Sequence, residues 1–135
     1  MMTKEQLFQK IYSYEQKAFG MSDQIFDLAE LGNMEFKSSE LVRDWLEAEG
    51  FTIEKAPLGI ETAFVATWEN RGGGYRVGLL CEYDALPMGH ACAHNMQGPA
   101  IAAAAIALKE TASDVPFTLK VYGTPAEETT SAKLP

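Results

Sequence analysis

Apolar positions recur three to four residues apart from Lys4 to about Leu31, at Leu7, Ile11, Tyr14, Ala18, Ile25, Leu28 and Leu31. That spacing predicts one long helix, or two broken near Gly20, with Gly32 and Asn33 supplying the stop. Ser38 or Ser39 is placed to cap a further helix that buries Leu41, Val42, Trp45 and Leu46 and ends at Gly50. After Gly50 the texture changes to short β-branched and aromatic runs at residues 51–54, 62–68 and 75–82. These read as strands, the last two forming a hairpin about the turn from Asn70 to Gly74. Residues 95–111 are Ala-rich and carry Ile101, Ile106 and Leu108, a helix able to lie close against a sheet, with Pro99 tolerated in its first turn. Residues 117–123 read as a final strand. The order of helices, strands, helix and strand implies an α/β layer with at least one crossover connection.

Composition narrows the function classes. A chain of 135 residues fits one domain and can bury roughly two-thirds of its unfolded surface. Eleven Lys and Arg against nineteen Asp and Glu give a formal charge of -8, a field that repels phosphate backbones and anionic lipid, so neither nucleic acid nor membrane is expected as a partner. The first twenty residues lack the unbroken apolar stretch of a signal peptide or a membrane span, and a cytoplasmic protein is expected. In a reducing compartment Cys81 and Cys92 point to a metal or catalytic thiol before a disulfide. Eleven positions separate them, without the Cys-x-x-Cys spacing of a redox pair.

The chemistry-bearing residues gather in three segments at strand ends or just beyond them: EYDALP from Glu82, GHACAHN from Gly89, and GTPAEE from Gly123. Both histidines of the chain, His90 and His94, fall in the second. Cys92 and His94 offer a thiolate and an imidazole two positions apart, a spacing that sends both toward one side of extended or turning backbone. That ligand pair suits zinc, and nearby carboxylates would also admit manganese or cobalt. Glu127 and Glu128 follow a predicted strand that Pro125 stops, so one carboxylate is placed to ligate an ion while the other moves a proton. Asp84, read from the residues alone, is placed to hydrogen-bond the turn ahead of Pro87. Cys81 is expected to pack at its strand end.

Taken in order, ELGNMEFKSSE from Glu30, the strands ending in EYDALP, GHACAHN with its Ala-rich helix, and GTPAEE resemble the aminoacylase and carboxypeptidase family of metallopeptidases, peptidase family M-twenty. Within it the chain looks most similar to the amidohydrolase branch of aminobenzoyl-glutamate and N-acyl-amino-acid hydrolases. The resemblance implies a zinc-peptidase-like three-layer α/β domain with a mixed sheet, incomplete at its C-terminus, in which residues 1–135 form the N-terminal part of the catalytic domain without the lid and dimerisation domain. It implies Cys92, His94 and Glu128 as metal ligands, Glu127 as general base and Asp84 as a residue that orients the site. The implied cofactor is zinc or manganese, two ions in a complete protein, and the implied substrate is a small N-acyl amino acid or dipeptide. A homodimer is implied for the complete protein. Because further ligand histidines are missing here, the alternative is a truncated, non-catalytic relative that acts at most as a metal-binding or interaction module. Two departures stand out. Ala93 replaces the usual glycine, which adds strain if that position needs a positive φ, and Thr129 to Ala132 replace the glycines that usually precede the lysine at Lys133.

Overall fold

The computed structural model describes residues 2–133; Met1, Leu134 and Pro135, which the sequence reading assigns to the same domain, lie outside the described residues. The N-terminal periodicity resolves into α1 (Lys4–Tyr12) and α2 (Glu15–Leu28). The break falls at Ser13 and Tyr14, not near Gly20. Ser13 turns its hydroxyl back onto the Lys10 carbonyl at 2.6 Å, whereas Gly20 sits inside α2 facing open space. The kink sends Tyr14 onto Trp45, ring centroids 6.0 Å apart, and its hydroxyl donates to Glu110 at 2.5 Å. α2 stops at Ala29, which takes the left-handed conformation (φ 45°) three residues before the expected Gly32.

α3 (Phe36–Ala48) starts after Glu35, and the expected caps Ser38 and Ser39 are buried in its first turn instead. The free amides of that turn are met from outside, because the Glu30 carboxylate accepts the N–H of Lys37 at 3.1 Å and of Ser38 at 2.7 Å. At the other end Gly50 (φ 97°) donates to Glu47 and Phe51 donates to Leu46, the paired bonds of a Schellman ending.

The strands are β1 (Thr52–Lys55), β2 (Phe64–Asn70), β3 (Tyr75–Cys81) and β4 (Phe117–Gly123), in the spatial order β1-β2-β4-β3. β1 and β4 both pair antiparallel with β2, and β3 pairs parallel with β4, so the sheet is mixed. The expected β2–β3 hairpin does not form, because β4 enters between the two strands. The turn that looked like a hairpin loop has positive φ from Arg71 to Gly74 and passes over the start of β4. A Cβ on Gly74 would stand 1.8 Å from the Pro116 carbonyl oxygen. The parallel pair is joined by the crossover helix α4 (His94–Thr111). Pro99 is its sixth residue, in the second turn and not the first, so the helix forgoes one backbone bond there.

Alternation in β4 sorts the sheet faces. Phe117, Leu119 and Val121 point into a core shared with Ala66, Ile106, Leu46 and Ile25, under the helices. Among the described residues α3 and α4 cover that face, with α1 packed on α4 and α2 on both, while Arg76, Lys120 and Tyr122 line a groove on the other. The described part thus supplies two of the three layers that the resemblance implies. None of its helices is long and apolar enough to cross a membrane.

Candidate metal centre

β3 and β4 run in register with Cys81 opposite Gly123, so the segments that follow them leave the sheet side by side. The Thr124 N–H donates to the Cys81 carbonyl at 2.9 Å and fastens the two exits together. The carboxyl ends of adjacent strands in an open α/β sheet form a natural crevice. Here it receives residues 82–94 from one strand and 124–133 from the other.

Glu82 and Asp84 stand two residues apart past β3, and His94, the first residue of α4, lies between them. Its Nδ1 is 2.8 Å from Asp84 Oδ1 and its Nε2 is 2.9 Å from Glu82 Oε2. Asp84 is fully buried and His94 is 8% exposed. With Nδ1 held by Asp84, Nε2 is the nitrogen presented to the twin acids, 3.9 Å from Glu127 Oε2 and 3.9 Å from Glu128 Oε1. The other Asp84 oxygen accepts the Glu128 N–H at 3.0 Å. One buried carboxylate therefore fixes an imidazole on one segment and the backbone of the other. No bond from it to the turn ahead of Pro87 is seen among the described residues.

The sulfur of Cys92, a nitrogen of His94 and a carboxylate oxygen of Glu128 all lie within 4.8 Å of one another. Glu82, His94 and Glu127 form a second group of the same kind. Burial pushes the Cys92 thiol above its usual range; a hydrogen bond from the His94 N–H opposes this, and the Glu128 carboxylate adds to it. Such a thiol ionises readily only when a cation shares it with the carboxylate. Thiolate, imidazole and carboxylate together make a donor set that fits a zinc-like divalent ion. Ala93, between the two donors, is left-handed (φ 68°), the conformation in which its methyl group is strained.

Three participants escaped the sequence reading. Glu82 touches His94 directly, and its two-residue offset from Asp84 was the available signal. Gln97, one turn into α4, accepts the Glu82 N–H at 2.6 Å and donates to the Leu80 carbonyl at 3.0 Å, acting as a strand partner for the free side of β3. Lys133 reaches back to Glu82 and, at 3.2 Å, to Glu127. It is brought there by a turn in which Thr129 and Ser131 both donate to the Ala126 carbonyl. His90 is buried beside Phe26, ring centroids 6.3 Å apart, and joins neither donor group. Cys81 is a buried free thiol against Gly98 at the end of its strand, and burial raises its pKa strongly.

No family model matches the chain. It is 35% identical to one of the subunits of p-aminobenzoyl-glutamate hydrolase from Escherichia coli (strain K12) over 138 residues, which covers 87% of this chain and 28% of that protein. Against the Xaa-Arg dipeptidase of Mus musculus it is 44% identical over 87 residues, covering 57% of this chain and 20% of that protein. The chain therefore spans less than a third of the length of these relatives. Among solved structures, a Bacillus subtilis protein described as a dinuclear metal binding peptidase superposes with a TM-score of 0.81 at 23% identity, over 90% of this chain and 38% of that one. At that identity the likeness is one of fold.

Proposed function

The chain belongs to the M-twenty metallopeptidase family, matching the N-terminal part of its amidohydrolases, and from that premise we propose that Cys92, His94 and Glu128 hold a divalent ion beside a general base, Glu127. The observation that carries the reading is the convergence of sulfur, nitrogen and oxygen donors from two separate segments within 4.8 Å. Zinc or manganese would suit it. When bound, such an ion lowers the pKa of its water toward about 7 and polarises a carbonyl.

The chain's own residues have divisible tasks. Asp84 orients the His94 ring, a carboxylate–histidine arrangement typical of metal ligands. Glu127, with Oε2 facing His94 Nε2, takes a proton from the attacking water and delivers it to the leaving amine. Lys133 holds the other Glu127 oxygen and so fixes which one is free to act. The substrate class is a small N-acyl amino acid or dipeptide, in keeping with relatives named as a hydrolase of p-aminobenzoyl-glutamate and as a dipeptidase. Residues 1–135 then form the N-terminal part of a catalytic domain. A second ion, a lid and dimerisation would draw on residues beyond these.

Titration with Co(II) tests the centre, since thiolate ligation has a charge-transfer band. Cys92→Ser should abolish the band and weaken binding by more than about a hundredfold, beyond the 10–100-fold typical of losing an outer partner. Cys81→Ser should leave the band in place. Glu127→Gln should keep metal affinity and, in a chain carrying the remaining ligands, lower amide turnover by about 100-fold or more. A band that persists in Cys92→Ser, or turnover that survives in Glu127→Gln, defeats the respective assignment.

A further inference from the structure

We propose that Glu35 is a positioning residue for this centre, one that holds through the Ala126 N–H the backbone turn from which Glu127 and Glu128 project. The inference rests on the roles given to those two acids above.

Glu35 is fully buried, and its Oε1 accepts the Ala126 N–H at 2.7 Å across 91 residues of chain. An ionisable side chain is costly to bury, so one kept there has a bond worth keeping. Ala126 needs such a bond. Its φ of 55° is left-handed, which a residue with a Cβ holds only when its surroundings impose it. Glu35 grips the turn just before Glu127, and Asp84 grips it just after, through the Glu128 N–H at 3.0 Å. The two carboxylates thus bracket the base. Gly32 shows how closely the Glu35 segment lies on the turn, because a Cβ there would stand 2.8 Å from Thr129 Oγ1 and 3.0 Å from Ala126 Cα. The same segment holds the other donor-bearing strand exit, where the Glu30 carbonyl accepts the Ala85 N–H at 2.8 Å. Residues 30–35 therefore act as a strap across both halves of the centre. Glu35 itself belongs to neither donor group, so it works through the backbone.

The test compares Glu35→Leu, which removes the acceptor while filling the space, with Glu35→Gln, whose amide oxygen can still accept, and with Gly32→Ala, which pushes on the turn without touching Glu35. Amide hydrogen exchange is followed by NMR without metal, and Co(II) affinity is measured in parallel. In Glu35→Leu the amides of Ala126 and Glu128 should exchange at least about tenfold faster while Leu119 and Val121 in the core stay protected. Co(II) affinity should fall by about 10–100-fold. Glu35→Gln should restore both, and Gly32→Ala should reproduce the loss even if Glu35→Leu fails to fold. Unchanged protection at Ala126 and Glu128 in Glu35→Leu, or in the smaller Glu35→Ala if only that variant folds, overturns the proposal. So does a loss in Glu35→Gln equal to that in Glu35→Leu. If the unaltered chain shows no thiolate band with Co(II), the metal reading fails, while the exchange data still decide whether Glu35 holds the turn.

Discussion

Of the four left-handed alanines among the described residues, Ala29 ends α2 and Ala56 follows β1, while Ala93 and Ala126 sit at the candidate centre. Ala93 lies between the donors Cys92 and His94 and starts α4, so its conformation sets the angle between thiol and imidazole. Left-handed backbone costs a non-glycine residue about 1–2 kcal/mol. Ala93→Gly should recover part of this, offset by the greater freedom of glycine in the unfolded chain, and raise Tm by about 2–4 °C in a calorimetric scan without metal. A Tm that stays level or drops would mean the strain is absorbed elsewhere. The sequence made Ala93 visible as a departure from the usual glycine, and it made Cys92, His94, Glu127 and Glu128 visible as residue types in order. It did not reveal Glu82 or Lys133 at the centre. Acids and lysines are common on surfaces, and only the folded turn from Thr129 to Ser131 shows that Lys133 returns to Glu82 and Glu127.

Among the elements, the helices were the most legible, since each depends on a local period, yet their ends moved. The α3 start was misplaced because its cap comes from Glu30, outside the helix, and not from the serines within. The β2–β3 pairing was misplaced because the Gly72–Gly74 run satisfies a hairpin turn and a bridge across β4 equally well. Gly74→Ala should expose the difference. A hairpin turn could absorb a methyl group, whereas here it meets the Pro116 carbonyl in left-handed backbone (φ 78°), at an expected loss of more than about 2 kcal/mol in urea denaturation. A loss under half of that would argue that the bridge is loose. The docking of α1 is expected to depend on pH. Burial raises the Glu110 carboxyl, but hydrogen bonds from Lys10 and Tyr14 outweigh it, so the group titrates below its usual range. Its folded pKa lies below the unfolded one, so the stabilisation is complete above the unfolded value and is lost as pH falls through the folded value. Glu110→Gln should therefore flatten the acid side of the stability curve, and an unaltered acid limb would show that other carboxylates dominate it.

At the largest scale, the helices among the described residues close one face of the sheet and leave β3 at its edge, with Leu80 and Tyr122 exposed on the other face. An edge that Gln97 bonds only in part, together with exposed apolar surface, favours self-association, which a charge of -8 opposes through repulsion. Raising the salt concentration should screen that charge and increase both the apparent mass in light scattering and the binding of a hydrophobic dye. A chain that stays monomeric and dye-silent at high salt would show the face to be inert. The sequence by itself determined the helical stretches, the strand-forming segments, the α/β class and the family, because periodicity, glycine stops and short ordered motifs are local properties. Tertiary structure alone decided that β4 separates β2 from β3, that Glu82 and Asp84 flank His94, and that Glu35 holds the turn of the twin acids. Those are contacts between segments tens of residues apart, and their free energy depends on which backbone groups and side chains the closed sheet brings together, a quantity that no window along the chain contains.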